Sequence, residues 1–166
     1  MLALKITEIK EFMNQLLIGD TFDLFPMAEA SITTFNTFTI NGSINKDFFD
    51  TDTQDILTQN GSIYSQWKQL KPFCFSIIRG KRTPLQFKIV FQLTPEQFSS
   101  VFHTEDMPEF SDASSLSLNI QYKNKALLCT SGISQKYFSL DKRAEQLWDA
   151  AVQIFFNDQN ISCEVL

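Results

Sequence analysis

Residues 85–93, LQFKIVFQL, alternate between apolar and polar side chains over nearly their whole length. Successive side chains of a β-strand point to opposite faces, so this spacing predicts a strand with one apolar and one polar face. Only Val90 breaks the pattern. The alternation favours an antiparallel sheet, which packs one face on a core and leaves the other in water. The side chains predicted to point inward are Leu85, Phe87, Ile89, Phe91 and Leu93.

The residues on either side of this strand predict its connections. Residues 73–79 carry apolar side chains at alternate positions and are expected to form a partner strand, joined through a hairpin tip at residues 80–84. Residues 94–97, TPEQ, have the pattern of a helix start, with Thr at the N-cap, Pro in the first turn and Gln three residues after the cap. This helix should end near Phe102, and an acidic loop should follow at residues 104–115.

The first part of the chain predicts a further strand, helix and hairpin. Asn36 should mark a break in the extended stretch, because the apolar face changes side there. Asn41-Gly42 is a strong hairpin signal, so Ile40 should pair back against Ile44. The predicted elements are a strand at 2–6, a helix at 7–18 and an extended stretch at 27–40.

The remaining elements follow from apolar spacing and from turn residues. Ser62 should cap a helix that Pro72 stops, since the residue before proline disfavours the helical conformation. The apolar stripe through Trp148 predicts the longest helix. The other predictions are a short helix or loop at 46–60, the long helix at 140–156, and strands at 116–122, 127–133 and 161–165.

Together these elements predict an α+β fold, with a mostly antiparallel sheet and three to four amphipathic helices on one face. The length of 166 residues fits a single domain, residues 1–166. Residues 2–45 and 85–133 have the same order of strand, helix, strand, strand. This order suggests a doubled β-α-β-β unit, with structural halves at 1–72 and 73–166.

Composition excludes several classes of protein. The chain is 43% hydrophobic and 20% charged, which is typical of a globular protein rather than a disordered one. No stretch approaches the length of a membrane span, and Lys5 and Glu8 interrupt the apolar start, so neither a membrane protein nor a signal peptide is expected. The 17 phenylalanines have no polar group and should mostly lie in the core.

The chemistry of catalysis and metal binding has little support in the sequence. The chain has one histidine, His103, and three cysteines without a Cys-x-x-Cys spacing, and no phosphate-binding loop or nucleophile elbow occurs. We therefore predict no metal and no cofactor, and the unpaired cysteines favour a cytoplasmic location. An enzyme would have to use His103 or a cysteine, such as Cys74 or Cys129, as acid, base or nucleophile. The aspartates at 47–55 lack the glycine and glutamate of a calcium loop.

One segment has an unusual charge. Residues 56–95 contain no Asp or Glu but six basic residues, so the segment carries +6 while the rest of the chain carries −11. Such asymmetry within an acidic protein suggests a local positive patch. The alternative is that these charges only meet the acidic stretches 47–55 and 104–112.

Three stretches resemble an uncharacterised bacterial family found mainly in clostridia and other Firmicutes. They are residues 29–36 (EASITTFN), residues 80–84 (GKRTP) and the Trp148-Asp149 helix. The resemblance implies no activity. The doubled element order also resembles one domain of a DNA sliding clamp, although the first and last helices are not basic.

We therefore expect a non-catalytic binding module whose basic patch holds an acidic protein or a nucleic acid. A clamp-like, nucleic-acid-associated assembly subunit and an enzyme are the alternatives, and a homo-oligomer is compatible with the first two. The residues predicted to bind the partner are Trp67, Lys68, Lys71, Arg79, Lys81 and Arg82.

Overall fold

Seven strands form one antiparallel sheet within the residues that the computed structural model describes, which are 1–105, 110 and 112–166. In chain order the strands are β1 (Ala3–Ile6), β2 (Met27–Thr33), β3 (Thr37–Asn41), β4 (Gln86–Leu93), β5 (Ala113–Lys123), β6 (Ala126–Gln135) and β7 (Cys163–Val165). Their order across the sheet is β3-β2-β4-β5-β6-β1-β7, and every neighbouring pair is antiparallel. The predicted α+β fold with an antiparallel sheet is confirmed.

Five α-helices accompany the sheet in this described part of the chain. They are α1 (Ile9–Leu17), α2 (Thr51–Gln59), α3 (Trp67–Ile78), α4 (Phe98–Phe102) and α5 (Arg143–Asp158), with short 3-10 turns at Lys46–Phe48 and Pro95–Gln97. The predicted number of three to four helices is therefore too low. All except α2 bury side chains in one shared core, whereas α2 buries none.

The strand β4 confirms the alternation in the sequence. Phe87, Ile89, Phe91 and Leu93 are at most 3% exposed and face the helices, and their partners across β5 include Ile120. The opposite face of the sheet carries mainly polar side chains and meets solvent. Leu85 differs from the prediction, because it precedes the strand and is 71% exposed.

The prediction of a strand at residues 73–79 is wrong, since these residues form the second half of α3. Phe73 and Phe75 suggest alternation, but the buried positions Trp67 and Cys74 follow helical spacing, and Phe73 is 63% exposed. Pro72 lies inside the helix instead of ending it. Residues 80–84 consequently connect a helix to a strand and are not a hairpin tip.

The prediction of a hairpin at Asn41-Gly42 is also wrong. The turn between β2 and β3 lies at residues 34–36, where the predicted break falls, and Ile40 pairs with Ala30 rather than Ile44. Gly42 has a different role: a Cβ atom there would lie 1.6 Å from the Met27 carbonyl oxygen. The glycine is needed for this close approach of two backbones.

Two further helix predictions are confirmed. A capping box joins Thr94 and Gln97 at the start of the turn that leads into α4, and the long helix is α5. The acidic loop predicted at 104–115 overlaps β5, and the part of it at residues 106–109 and 111 lies outside the described residues.

The doubled order of strand, helix, strand, strand is present in both halves, but the halves pair differently. In the second half β4 pairs with β5, whereas in the first half β1 lies far from β2, between β6 and β7. Because α3 continues through Pro72, one helix also crosses the boundary between residues 72 and 73. The two halves therefore share an element order and not a strand pairing.

Phenylalanine rings form the centre of the core, as the composition predicts. Phe22 and Phe25 contact one another with ring centroids 5.6 Å apart, and each also packs on Phe91 of β4 and Phe155 of α5. These contacts join the helices to the sheet. Four phenylalanines lie outside this arrangement and are more than half exposed: Phe35, Phe48, Phe73 and Phe138.

A candidate groove with a basic rim

A groove of about 320 Å³ lies between α1, the C-terminal end of α3 and the end of β4 and β5. Met13 and Leu17 of α1 form one wall, and Ile78 of α3 contributes to the other. These side chains face the groove because α1 is amphipathic and turns its apolar stripe towards the sheet. The groove is therefore largely apolar inside.

Two aromatic side chains from neighbouring strands also line the groove. Phe87 of β4 and Tyr122 of β5 occupy paired positions across the sheet, and their rings stack with centroids 5.5 Å apart and an interplanar angle of 16°. The paired register fixes both rings. Because Phe87 is almost fully buried, Tyr122 provides the accessible part of this aromatic pair.

The rim of the groove is basic. Arg79, Lys81 and Arg82 lie on the loop that leaves α3, all three are exposed, and all three line the groove. The backbone N–H of Leu85 donates to the Thr33 carbonyl oxygen and ties the end of this loop to β2. No lining residue is an aspartate or glutamate, so the local charge is positive.

The three rim cations make no ion pair with any described residue. In particular they make none with the aspartates at 47–55, nor with Glu105 and Asp112, which are the acidic residues of the within-chain alternative that the structure describes. Residues 106–109 and 111 of the other acidic stretch lie outside the described residues. The groove thus combines apolar walls with cations whose charge is free among the described residues.

Trp67 and Lys71 have a different place from the other predicted binding residues. Trp67 is fully buried, and its indole N–H donates to the carbonyl oxygen of Leu16 at 2.7 Å. Lys71, one turn later on α3, donates from Nζ to the carbonyl oxygen of Gly19 at 2.8 Å and to Oδ1 of Asp23 at 2.6 Å. Both contacts satisfy carbonyl groups at the C-terminal end of α1, where a cation also complements the helix dipole. These two side chains therefore hold α1 against α3 and shape the groove without lining it.

The remaining basic side chains of the acid-free segment lie elsewhere. Lys68 is exposed near the start of α3, eleven residues before Arg79, or roughly 16 Å along a helix. Lys88 is exposed on the open face of the sheet, opposite Ser31 and Gln121. The basic residues of the segment therefore do not form one continuous surface, and of the six only Arg79, Lys81 and Arg82 line the groove.

The side chains considered for catalysis are not arranged as a catalytic pair. His103 is exposed at the C-terminal end of α4, in the left-handed conformation with φ 51°. Burial raises the pKa of the Cys74 thiol from 9.0 to about 12, and burial also raises the pKa of Cys129. A thiol with a raised pKa is a poor nucleophile, since the thiolate is the reactive form. The geometry gives no argument for an acid, base or nucleophile role.

The described residues provide neither a metal site nor a membrane-spanning helix. Among them, no group of three or more His, Cys, Asp or Glu side chains is placed to hold a metal ion. Asp50 belongs to the acidic stretch 47–55, which lacks the residues of a calcium loop. Its side chain accepts a hydrogen bond from the Thr53 N–H and caps the N-terminus of α2. Across the described ranges, no helix has the length and apolar character needed to cross a membrane.

A second cleft, of about 420 Å³, lies between α2 and α4. Amide and hydroxyl side chains line it, including Gln66, Gln69 and Ser100, and no lining residue is charged. It therefore offers hydrogen bonding without charge selection, in contrast to the groove.

The walls that α1 gives to the groove were missed from the sequence. Placing residues 73–79 in a strand separated Ile78 and Arg79 from α1, although the helical spacing of Leu70, Cys74 and Ile78 was visible. A second signal was Ile18, an apolar residue directly after the stripe that ends in Leu16 and Leu17, which the structure leaves 67% exposed. Reading both signals together would have pointed to an uncovered apolar surface beside the basic loop.

Comparisons with known proteins assign a family and no activity. No curated protein matches the chain, and no solved structure matches it. The resemblance to a sliding-clamp domain therefore stays a prediction. A family model described as a family of unknown function (DUF5721) matches residues 15–164, nearly the whole chain, so an uncharacterised family is confirmed at this level. The chain belongs to this family of unknown function, DUF5721.

Proposed function

We propose that the protein is a non-catalytic binding module whose groove holds an acidic polypeptide segment with apolar anchor residues. The observation that carries the proposal is the combination of aliphatic walls with Arg79, Lys81 and Arg82 at one rim, three cations that form no ion pair among the described residues. Apolar anchors would fill the groove, and carboxylates on either side of them would meet the rim. Desolvated anchors supply most of the affinity at such sites, and rim charges supply selectivity and a fast encounter.

The lining favours a polypeptide over a nucleic acid. Single-stranded nucleic acid binds through successive aromatic platforms along a basic channel. Here Phe87 and Tyr122 already stack on each other, Phe75 is the third aromatic lining residue, and the walls also include Met13, Leu17 and Ile78. Leucine-like and phenylalanine-like anchors fit these walls better than bases do. The chain as a whole also carries −5, which opposes binding to a long polyanion.

A clamp-like, nucleic-acid-associated subunit is the second candidate, and the doubled element order favours it. The helix faces oppose it. α1 contributes Glu11 in its first turn and α5 contributes Glu145 in its first turn, where a nucleic acid would require basic side chains. Catalysis has less support than either binding role, because His103 is exposed on the surface and burial raises the pKa of the Cys74 and Cys129 thiols.

Fluorescence anisotropy with a labelled synthetic peptide tests the proposal. The peptide combines glutamates with two phenylalanines, and a control peptide replaces the glutamates by lysines. The variant Lys81→Glu/Arg82→Glu should weaken binding of the acidic peptide by about tenfold or more, since it reverses two charges at the rim. The matched control Lys68→Glu/Lys88→Glu makes the same change in net charge away from the groove and should leave the affinity nearly unchanged.

Salt and a second ligand complete the test. Raising the salt concentration should weaken binding of the acidic peptide, because the exposed charges at the rim are screened by salt. Equal binding to the two charge-reversal variants would contradict the proposal, as would tighter binding of the lysine peptide. The nucleic-acid candidate would be supported instead if a single-stranded oligothymidine bound more tightly than the acidic peptide and if the groove variant abolished that binding.

A further inference from the structure

A second unpartnered surface lies at residues 45–61, which we call the acidic arm. The arm contains the turn Lys46–Phe48 and α2, and neither buries a side chain. Four aspartates and one lysine give it a net charge of −3. Two apolar side chains on it are largely uncovered, Phe48 at 85% and Ile56 at 55% exposure. The arm thus has the acidic and apolar character that the groove requires of a partner.

The arm and the groove lie at opposite ends of the same strand. At one end of β2 the Gly42 N–H donates to the Ala28 carbonyl oxygen, and the arm follows from there. At the other end Leu85 donates to Thr33, and the basic loop precedes it. The seven residues of β2 separate these ends by about 20 Å at roughly 3.3 Å per residue. The N–H of Ile44 donates to the Ile63 carbonyl oxygen, so the arm both begins and ends near the end of β2 that lies away from the basic loop of its own chain.

We infer that the groove is occupied by the acidic arm of a second copy of this chain. The inference rests on the proposed function and names the partner that the groove would take. Charge complementarity carries it: an arm of −3 with exposed Phe48 would meet a rim formed by Arg79, Lys81 and Arg82. The walls of the groove are apolar, and the arm carries exposed apolar side chains that could contact them. Among the described residues, neither surface forms an ion pair with another element.

The edge strand β3 indicates how the two copies are arranged. Among the described strands β3 pairs only with β2, so its outer edge is open. Its sequence, TFTIN, has no charge and no proline, the devices that commonly protect an edge from pairing. Antiparallel pairing of two β3 strands about a two-fold axis would set Asn41 of one copy near Thr37 of the other. Each arm would then start beside the end of the partner that carries the basic loop.

The distances fit this arrangement. Counted from β3 of the copy that supplies the arm, β4 and β5, which carry Phe87 and Tyr122, lie three and four strands away, or about 14 to 19 Å at roughly 4.8 Å per strand. α2 alone has nine residues and spans about 13 Å. A two-fold pair also makes both arm-to-groove contacts at once and leaves no open end, so the assembly closes as a dimer.

The test measures the mass in solution by sedimentation velocity of the full chain. The wild type should sediment as a dimer of two 19.1 kDa chains. The groove variant Lys81→Glu/Arg82→Glu and the arm variant Asp47→Lys/Asp55→Lys should each be monomeric alone. Mixed together they should form a dimer again, because each contact then pairs opposite charges. Lys68→Glu/Lys88→Glu should remain dimeric.

Several outcomes would overturn the inference. They are a monomeric wild type, a groove variant that stays dimeric, or a mixture of the two variants that stays monomeric. Circular dichroism of each variant distinguishes loss of assembly from loss of folding. Phe48→Ala is a second arm variant, which changes an exposed side chain with no role in the core and should also weaken the dimer. If the wild type is monomeric yet the acidic peptide binds its groove, the inference fails and the proposed function stands.

Discussion

Replacing Trp67 by phenylalanine tests how the groove is built. The indole N–H of Trp67 satisfies the Leu16 carbonyl oxygen at the end of α1, and the side chain is fully buried. The substitution keeps an aromatic ring but leaves that carbonyl without this donor. We therefore expect two effects, a loss of stability and a loosening of the wall that α1 gives to the groove.

The magnitude follows from the structure. Leaving a buried acceptor unsatisfied costs about 1–3 kcal/mol. The smaller ring leaves a space of roughly 40 Å³, which at about 24 cal/mol per Å³ adds about 1 kcal/mol if the site does not collapse. The free energy of unfolding of Trp67→Phe should therefore fall by roughly 2–4 kcal/mol. Groove affinity for the acidic peptide should fall with it, because the end of α1 is less firmly held.

Urea unfolding followed by far-UV circular dichroism measures the first effect, and peptide anisotropy in native buffer measures the second. The matched control is Trp148→Phe. Trp148 is also fully buried and donates from its indole to the Ser117 carbonyl oxygen at 3.0 Å, but that acceptor lies on β5 and not on α1, which forms a wall of the groove. It should lose similar stability and keep the wild-type affinity. An unchanged stability of Trp67→Phe, or an equal loss of affinity in both variants, would refute the reasoning.

Three further substitutions test the structure at other points. Gly42→Ala should lower the free energy of unfolding in urea by roughly 3 kcal/mol or more, because its Cβ would lie 1.6 Å from a backbone oxygen. Gly61→Ala, with φ +63° and open space around the Cβ, should lower it by only about 1–2 kcal/mol. Similar losses in the two variants would contradict the close contact at Gly42. Lys71→Met should lower the free energy of unfolding by roughly 1–3 kcal/mol, since it leaves carbonyl and carboxylate oxygens without their donor, and an unchanged value would remove its role at α1. Burial raises the pKa of the Cys74 thiol from 9.0 to about 12 in the folded state. Between these two pH values the folded protein keeps the thiol proton, whereas the unfolded chain loses it. The contribution of the protonated thiol to the free energy of unfolding is complete below pH 9 and is lost as the pH rises towards 12. Cys74→Ala should therefore flatten the decrease in the free energy of unfolding between these pH values. An unaltered slope would contradict the burial of the thiol.

The predictable parts of the fold were those in which local pattern and tertiary burial agree. In β4 the alternation of Phe87, Ile89 and Phe91 matches a sheet with one buried face, so the strand followed directly from the sequence. The capping box of Thr94 and Gln97 was equally local, because both of its hydrogen bonds lie within four residues.

The errors came from residues whose local signals compete with long-range contacts. Asn41-Gly42 favours a turn locally, yet Gly42 is there because the backbone of Met27 approaches it closely from another strand. In α3 the alternation around Phe73 and the helix-breaking tendency of Pro72 both argued against a helix. Burial of Trp67 and Cys74 against the core outweighs those signals.

The candidate site was predictable in charge and not in shape. The absence of acidic residues between 56 and 95 drew attention to Arg79, Lys81 and Arg82, which share the groove rim, and their role in binding stays a prediction. Composition does not distinguish a rim lysine from Lys71, which is held by Asp23 and the end of α1. That distinction depends on how α1 and α3 pack, and it becomes visible only in three dimensions.

Amide chemical-shift mapping by NMR tests the central claim most directly. Titrating the acidic peptide into the isotopically labelled arm variant Asp47→Lys/Asp55→Lys leaves the groove free of any second copy. The account predicts that the largest shifts fall on α1 and on the stretch from Ile78 to Pro84, with further shifts at Tyr122. Shifts confined to the uncharged cleft between α2 and α4, or no shifts at saturating peptide, would contradict it.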